Sequence, residues 1–558
     1  MDTDKKQCRL LSSILSAYGI RHAVISPGSR NAPLIMAFNR QKGMECLSVP
    51  DERSAGFFAL GMAQQIREPV VLICTSGTAA LNYAPAVAEA YYQHIPLIVI
   101  TADRPPEWID QQDGQAIHQI EVYRNYIKRS FSLPVEILSQ QDIQDCEFLI
   151  SEAFHSCIYP AFGPVHINVP MREPLYKQTE EEMVYKEIMR KEKPLSSPEP
   201  AQMKEIIDLW NGVHKKMIIT GLLHPESRLN QLINSLAALE DVVVFTETTS
   251  NLHGNRLHPC IDRIITAIDD PEKFRPELLL TIGGPLISRK IKTFLRTYKP
   301  RVHWNVSLPE PEVNAYLSLT NGIKMDPVSF LEILVQNNIP SKSAYAALYE
   351  EIESVCSLKH QAFLETAPFS DLKVFETILS YLPENNLVQL GNSTPVRYAQ
   401  LFRPSVKTFH FANRGTSGID GCCSTAAGAA YASKKPTTLI TGDIGFFYDS
   451  NFLWNNCLCP GFRVIVINNG GGGIFRFIDG PDKTEELDPY IETPHELNTG
   501  NIAGTYHIPY FFCDSADTLE KTLPDFYKPS SMPAILEVKT PRLLNGRVLK
   551  AYFEHLKE

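Results

Sequence analysis

The sequence lacks the cysteine patterns that metal modules and disulfide frameworks need. Its 558 residues include 12 cysteines, which are scattered and form no C-x-x-C pair. This argues against a structural zinc module and against a small secreted scaffold held by disulfides. We interpret the cysteines as reduced thiols and expect a cytoplasmic protein.

The sequence also lacks a basic excess and any long apolar run. Lys and Arg total 53 against 63 for Asp and Glu, giving a net charge of −10. Binding to nucleic acid needs a basic surface that neutralises phosphates, so we expect no nucleic-acid partner. No segment approaches the ~20 apolar residues of a membrane span, and the polar start over residues 1–6 is unlike a signal peptide. We therefore expect no membrane span.

What the sequence does contain is an alternation of short apolar runs with helix-like stretches, in three successive sets. Continuous apolar runs are typical of parallel strands that are buried on both faces. The predicted strands are 22–25, 70–74 and 97–101, then 216–221, 242–245 and 278–283, and finally 387–390, 439–442 and 464–467. The pattern predicts three doubly wound α/β domains with mainly parallel sheets, over residues 1–190, 191–345 and 346–558. Three prolines within 194–200 indicate a linker.

Two predicted strands of the third set end in side chains that carry oxygen. Asp443 follows one strand, and Asn469 comes 26 residues later, just before four consecutive glycines. Carboxylate and amide oxygens suit Mg²⁺, and glycines let the backbone approach a phosphate closely. The joint pattern predicts a metal-bridged diphosphate site. Taken singly, Asp443 also suits a turn or helix cap, and the glycines a plain loop.

The joint pattern resembles the thiamine diphosphate motif, Gly-Asp-Gly followed one crossover later by Asn-Asn. Ile444 stands where the third motif residue is usually glycine. The resemblance implies thiamine diphosphate as cofactor, with Mg²⁺ or Mn²⁺ held by Asp443, Asn469 and the carbonyl of Gly471. It also implies the fold of the thiamine diphosphate-dependent enzymes.

Enzymes of this type also need a glutamate that hydrogen-bonds the aminopyrimidine ring of the cofactor. Glu52, at the start of the small-residue helical stretch 55–63, matches that pattern and is the predicted catalytic residue. An acidic residue in the first turn of a helix is its structural alternative. The further cofactor-binding positions that the resemblance implies are Thr75, Gly77, Ser417, Gly418, Ile419, Gly442 and Gly472.

Longer motifs narrow the resemblance to one family. The segments 26–34, 101–106, 413–421 and 473–475 resemble, in order and spacing, the signatures of the 2-succinyl-5-enolpyruvyl-6-hydroxy-3-cyclohexene-1-carboxylate (SEPHCHC) synthases, the MenD family of menaquinone biosynthesis. The resemblance implies decarboxylation of 2-oxoglutarate on thiamine diphosphate and conjugate addition of the succinyl carbanion equivalent to isochorismate. It implies a homodimer with shared active sites as the minimum unit, and a tetramer is also allowed.

Both implied substrates are dicarboxylates, which arginine guanidinium groups bind well. The implied substrate-binding residues are Ser29, Arg30, Arg104, Gln115, Arg289, Lys290, Asn392, Ser393, Arg397, Arg414, Ile474 and Phe475. The Arg289–Lys290 pair reverses the usual order of charges, and Gly114 replaces a common polar amide. The alternatives are another thiamine diphosphate-dependent decarboxylase or carboligase, such as an acetolactate synthase relative, and a non-catalytic regulator on the same fold.

Overall fold

Three six-stranded parallel sheets form the framework of the molecule. The computed structural model describes residues 1–180, 198–478 and 480–558. Most of the predicted linker, and the expected boundary between residues 190 and 191, lie outside the described residues. No helix in the described ranges combines the length and apolar character that crossing a membrane requires.

The first sheet has the strand order β3-β2-β4-β5-β7-β6, and a two-stranded antiparallel pair, β1-β8, lies apart from it. The strands of this part of the chain are β1 (Asp2–Thr3), β2 (His22–Ile25), β3 (Glu45–Ser48), β4 (Val70–Cys74), β5 (Leu97–Asp103), β6 (Ser130–Ser132), β7 (Val165–Pro170) and β8 (Gln178–Thr179). Its helices are α1 (Lys6–Ala17), α2 (Ala32–Arg40), α3 (Glu52–Ile66), α4 (Thr78–Asn82), α5 (Ala84–Gln93) and α6 (Gln140–Ile158).

The middle sheet has the order β11-β10-β9-β12-β13-β14. Its strands are β9 (Lys216–Thr220), β10 (Val242–Thr246), β11 (Leu257–His258), β12 (Leu278–Ile282), β13 (Val302–Val306) and β14 (Asn321–Ile323). Its helices are α7 (Pro200–Gly212), α8 (Ser227–Ala237), α9 (Ile261–Ala267), α10 (Pro271–Phe274), α11 (Arg289–Thr297) and α12 (Pro327–Asn337). A long helix, α13 (Tyr345–Thr366), follows it.

The third sheet has the order β16-β15-β17-β18-β20-β19, which is the order of the first sheet repeated. Its strands are β15 (Leu387–Leu390), β16 (Phe409–Phe411), β17 (Thr437–Gly442), β18 (Phe462–Asn468), β19 (Tyr510–Cys513) and β20 (Ala534–Lys539). Its helices are α14 (Asp371–Tyr381), α15 (Thr394–Ala399), α16 (Cys422–Ser433), α17 (Asp443–Tyr448), α18 (Thr499–Thr505), α19 (Ala516–Phe526) and α20 (Arg542–Lys557).

Alternate residues of the central strands enter separate cores on the two faces of a sheet. In β4, Val70 and Leu72 belong to one core, and Val71 and Ile73 belong to another. Both faces are therefore covered, which is why these strands appear in the sequence as unbroken apolar runs. The predicted fold class, three doubly wound parallel sheets, is confirmed.

The first and third sheets share one of these cores. Helix α3 packs along helix α16, and Phe58 and Leu60 of α3 lie in the same apolar cluster as Ala427 of α16. The backbones approach closely because glycines lie at the contact: a Cβ atom on Gly428 would be 1.9 Å from the carbonyl oxygen of Phe58.

Helix α13 contacts two cores. Its first turns bury Tyr345 and Tyr349 against the middle sheet, beside Phe245, whereas Leu364 near its end lies in a core of the third sheet. Helix α13 therefore ties the middle sheet to the third.

Candidate active site

Parallel sheets of this type bind ligands beyond the carboxyl ends of their strands, where the strand order reverses. In the third sheet that point lies between β15 and β17. Asn392 and Ser393 follow β15, Asp443 follows β17, and Asn469 follows the neighbouring strand β18. The sheet therefore brings these predicted side chains to one edge.

A cavity of about 600 Å³ opens at this edge. The predicted site residues that line it are Arg289, Asn392, Ser393, Arg397, Arg414, Ser417, Ile419, Gly442, Asp443, Asn469, Gly471, Gly472, Ile474 and Phe475. Gly418 belongs to the same wall, because its carbonyl accepts a hydrogen bond from Asn392 Nδ2 at 2.6 Å. Nearly all of these residues come from the third domain, and Arg289 comes from the start of α11 beside the middle sheet.

The amide of Asn469 is oriented for a cation. Its Nδ2 donates to Asp371 Oδ2 at 3.0 Å, which turns Oδ1 the other way. In the described part of the chain Oδ1 is buried and has no hydrogen-bond partner. A buried carbonyl oxygen without a donor is unfavourable, and a hard divalent cation would satisfy it. The residues present therefore fit the cation of a bound diphosphate.

Asp443 connects the two strand ends. Its Oδ2 accepts from the backbone N–H groups of Gly470 at 2.8 Å and Gly471 at 3.1 Å, and its Oδ1 accepts from that of Ile444 at 2.7 Å. Gly471 has a φ of 154°, in a range that favours glycine. The Gly471 carbonyl accepts from the N–H of Gly473 at 2.9 Å and keeps a second lone pair for a ligand.

Three arginines give the cavity a positive field. Burial, together with the charges of Arg414 and Arg289, lowers the pKa of Arg397 to about 10. Burial also lowers the pKa of Arg414, against the opposing charges of Glu247 and Glu89. Arg414 Nη1 donates to Asn392 Oδ1 at 2.8 Å, while its buried Nε has no partner among the described residues. Such a cluster favours an anionic ligand.

The basic side chains at the start of α11 lie in two different environments. Arg289 and Lys292 line the cavity, whereas the ammonium group of Lys290 lies 3.9 Å from the ring centroid of Phe553. Ser288 caps the helix by accepting from the N–H of Ile291, so the helix starts at Arg289 and directs residues three apart to one face. The sequence motif did not include Lys292. Its spacing of three residues from Arg289 nevertheless indicated that the two side chains share one face of a helix.

Apolar side chains form part of the cavity lining. Ile419, Ile474 and Phe475 line it, as the resemblance implies, and Ile444 lines it as well. The residue that departs from the generic cofactor motif is therefore part of the apolar lining.

The remaining predicted residues gather at the matching edge of the first sheet. Ser29 and Arg30 follow β2, Thr75 and Gly77 follow β4, and Arg104 follows β5. Strands β2 and β4 flank the point where the strand order reverses. The first sheet therefore presents a second set of loops at its own ligand-binding edge.

Close contacts join these loops. A Cβ atom on Gly28 would lie 2.3 Å from Thr75 Cβ, and one on Gly77 would lie 3.1 Å from Gln115 Cα. Gln119, which is fully buried, accepts from the N–H of Gly77 at 2.8 Å through Oε1. Gln115 thus lies against the glycine that the resemblance assigns to the cofactor.

The two arginines of the first sheet have carboxylate partners. Arg30 donates to Glu173 at 3.1 Å and to the carbonyl of Met171, and Arg104 contacts Asp113 at 2.9 Å. Burial and the charge of Arg104 lower the pKa of Arg30. Each of these two guanidinium groups is therefore already paired with a carboxylate at this edge of the sheet.

Glu52 is the first residue of α3, and Asn82 Nδ2 donates to its Oε2 at 3.3 Å. Its neighbour Asp51 caps the helix by accepting from the N–H of Ser54 at 3.2 Å. Within the described chain neither Glu52 nor the other predicted first-domain residues line the cavity of the third domain. A single chain therefore presents two separate groups of site residues.

Comparison with known proteins identifies the class. Residues 6–122 match the family model described as "Thiamine pyrophosphate enzyme, N-terminal TPP binding domain". This match covers the segment that carries Glu52, Thr75 and Gly77. With three parallel sheets and a cavity built around Asp443 and Asn469, the fold and site define a thiamine diphosphate-dependent enzyme.

Relatives identify the family within that class. A protein of Flavobacterium johnsoniae is 42% identical over 97% of this chain and 97% of its own length. Proteins of Flavobacterium psychrophilum and Porphyromonas gingivalis are 43% and 40% identical, over 97% and 99% of this chain and 97% and 98% of their own lengths. Each is named 2-succinyl-5-enolpyruvyl-6-hydroxy-3-cyclohexene-1-carboxylate synthase. The chain belongs to this family, which confirms the resemblance predicted from its motifs.

Proposed function

We propose that the protein is a SEPHCHC synthase that uses 2-oxoglutarate and isochorismate in menaquinone biosynthesis. The observation that carries this proposal is the cluster of Arg289, Lys292, Arg397 and Arg414 around one cavity that also contains Asp443. A dicarboxylate donor and a dicarboxylate acceptor both require cationic anchors. A carboligase that acts on pyruvate alone requires fewer.

Thiamine diphosphate, when bound, supplies the electron sink for decarboxylation of a 2-oxo acid and for formation of the new carbon–carbon bond. In the proposed site Asp443, Asn469 and the Gly471 carbonyl would hold Mg²⁺ or Mn²⁺ beside the diphosphate. Glu52 would hydrogen-bond the aminopyrimidine ring of the bound cofactor and would hold the proton that the two share. The other proposed cofactor contacts are Thr75, Gly77, Ser417, Gly418, Ile419, Gly442 and Gly472.

The cationic side chains bind and orient the substrates. The proposed substrate contacts are Ser29, Arg30, Arg104, Gln115, Arg289, Asn392, Ser393, Arg397, Arg414, Ile474 and Phe475, to which we add Lys292. Lys290 is left out because its ammonium group lies against the ring of Phe553 and not in the cavity. Ile474 and Phe475 exclude water from the reacting carbon, which protects it from unwanted protonation.

We further propose a homodimer in cytoplasmic solution, with domains over residues 1–190, 191–345 and 346–558. The separation of Glu52 from the third-domain cavity within one chain supports this arrangement. In a two-fold dimer the first domain of each subunit covers the third domain of the other, and each pair of half-sites forms one active site.

Product analysis tests the function directly. The purified protein, with thiamine diphosphate and Mg²⁺, is incubated with 2-oxoglutarate plus isochorismate, and in parallel with pyruvate alone. We expect CO2 release and one adduct, identified by mass spectrometry, that combines isochorismate with the succinyl unit. Acetolactate from pyruvate would instead indicate the alternative carboligase, and failure to bind thiamine diphosphate in calorimetry would indicate a non-catalytic regulator.

A further inference from the structure

The loop from Asn413 to Ile419 carries Arg414 into the cavity. Thr416 and Ser417 are exposed, and Ser417 takes a left-handed φ of 65°, which side chains rarely adopt. A strained and exposed loop that must present a guanidinium group needs anchors outside itself. On the side of its own domain, the loop is held by Asn392, whose Nδ2 donates to the Asn413 carbonyl at 2.6 Å.

A second anchor comes from the first domain. Glu89 on α5 is almost completely buried, with 1% of its surface exposed. Its Oε1 accepts from the N–H of Gly415 at 2.7 Å, and its Oε2 accepts from both the N–H and the hydroxyl of Thr416, each at 2.6 Å. Gln93 on the same helix also donates to Oε1.

The fit between loop and helix is close. A Cβ atom on Gly415 would lie 2.7 Å from the carbonyl oxygen of Glu89, so the loop backbone lies directly against α5. A buried carboxylate is stable only when donors surround it, and the two backbone N–H groups equally need an acceptor. The carboxylate of Glu89 and the loop N–H groups therefore satisfy each other's hydrogen-bonding requirement, although Glu89 and Gly415 are 326 residues apart in the sequence.

We propose that Glu89 is a positioning residue, which holds the Asn413–Ile419 loop from the first domain so that Arg414 faces substrate in the third-domain cavity. Glu89 acts through the loop and does not itself line the cavity. The geometry of this part of the site thus depends on the first domain of the same chain. The link to substrate binding rests on the function proposed above, whereas the ordering of the loop does not.

Substitution Glu89→Gln tests the proposal, because glutamine keeps the shape of the side chain but presents an amide N–H₂ group to a donor. Thr416→Val attacks the same contact from the loop side by removing the hydroxyl donor. Glu45→Gln is the matched control: Glu45 is also a first-domain carboxylate that accepts from the third domain, at 2.6 Å from Tyr431 Oη, but it does not contact the loop.

Hydrogen exchange followed by mass spectrometry is the first measurement. We expect the peptide that contains Gly415 and Thr416 to exchange at least about tenfold faster in Glu89→Gln and severalfold faster in Thr416→Val. Exchange in Glu45→Gln should match the wild type at this peptide. Equal exchange in Glu89→Gln and the wild type would overturn the proposal, whatever reaction the protein catalyses.

Steady-state kinetics is the second measurement. We expect KM for at least one dicarboxylate substrate to rise about tenfold in Glu89→Gln while kcat changes by less than about threefold, since a misplaced anchor weakens binding more than chemistry. In an Arg414→Lys background the same substitution should add little, because both changes act on one interaction. Additive effects, or a fall in kcat alone, would contradict a positioning role.

Discussion

A Cβ atom on Gly61 would lie 1.9 Å from the carbonyl oxygen of Thr425, so helix α3 of the first domain and helix α16 of the third are in backbone contact. Both helices lead to proposed site residues. Glu52 begins α3, and the loop that carries Arg414 and Ile419 leads into α16. The contact therefore fixes the relative position of two segments of one chain that carry proposed site residues.

Substitution Gly61→Ala should separate these helices. The obstructing atom belongs to the backbone, so no rotation of a side chain relieves the clash. We therefore expect the free energy of unfolding to fall by about 3 kcal/mol or more. The thermal unfolding midpoint should fall by at least about 2 °C. Gly504→Ala is the control, since a Cβ atom there meets nothing within 4 Å and alanine favours a helix. Equal thermal unfolding midpoints in Gly61→Ala and Gly504→Ala would contradict the backbone contact between α3 and α16.

Substitution Glu52→Gln should remove activity without removing the cofactor. The proposed proton transfer requires a carboxyl group, so we expect kcat to fall at least about a hundredfold. Calorimetry should find thiamine diphosphate bound within a few-fold of the wild-type affinity. Glu68→Gln, just beyond the other end of the same helix, should change neither quantity. Full activity in Glu52→Gln would show that another residue has this role.

Asp371 should govern the affinity for the cation through Asn469. Its Oδ2 accepts from Asn469 Nδ2 at 3.0 Å and its Oδ1 accepts from Thr540 Oγ1 at 2.6 Å. In Asp371→Asn, an amide N–H₂ group replaces one of these oxygens, so one of the two donors would lose its acceptor. We expect about tenfold weaker binding of Mg²⁺, measured by calorimetry at saturating thiamine diphosphate. Asp326→Asn serves as the control because asparagine caps a helix as well as aspartate does. Unchanged affinity in Asp371→Asn would remove the residue from this role.

Local pattern was enough to predict the three parallel sheets and which predicted side chains gather at one edge of the third sheet. Asp443 and Asn469 follow unbroken apolar runs, and parallel strands bring such positions to one edge. The predicted arginines Arg397 and Arg414 reach the same cavity for the same reason.

The supporting residues could not be predicted in this way. Glu89 and Asp371 lie far in sequence from the groups they hold, and in the chain they look like ordinary acidic residues of helices. Their function depends on which helix packs against which loop, and that is decided by tertiary contacts such as the close approach at Gly61. Lys292 is the exception, because its spacing of three residues from Arg289 was visible in the sequence and the motif did not use it.

A buried histidine, His360, should make the stability of the folded protein sensitive to acid. His360 Nδ1 and Tyr552 Oη share a hydrogen bond of 2.8 Å. Burial, with the nearby charge of Arg263, lowers the pKa of His360 to about 3. The unfolded chain takes up a proton near pH 6.5, so the stabilising contribution is complete above that pH and is lost as pH falls toward 3. Between pH 7 and pH 5 this loss amounts to about 2 kcal/mol.

His360→Gln should therefore narrow the gap between the thermal midpoints at pH 7 and pH 5. Glutamine can still accept from Tyr552 but does not titrate. His118→Gln is the control because that side chain is 76% exposed. A gap as wide in His360→Gln as in the wild type would mean that His360 does not contribute to the acid sensitivity.

Mixing two inactive variants tests whether the active sites are shared between subunits. Glu52 lies in the first domain and Asp443 lines the third-domain cavity, and within one chain Glu52 does not reach that cavity. If each site joins the first domain of one subunit to the third domain of its partner, a hybrid of Glu52→Gln and Asp443→Ala subunits contains one site with neither substitution. Random pairing of equal amounts then restores about a quarter of wild-type activity, because half of the dimers are hybrids with one intact site. The measurement is activity after the mixed subunits have been dissociated and reassembled, and each variant reassembled alone should stay inactive. Sites formed within single chains would leave every site in the mixture defective, so a mixture without activity would contradict the shared-site dimer.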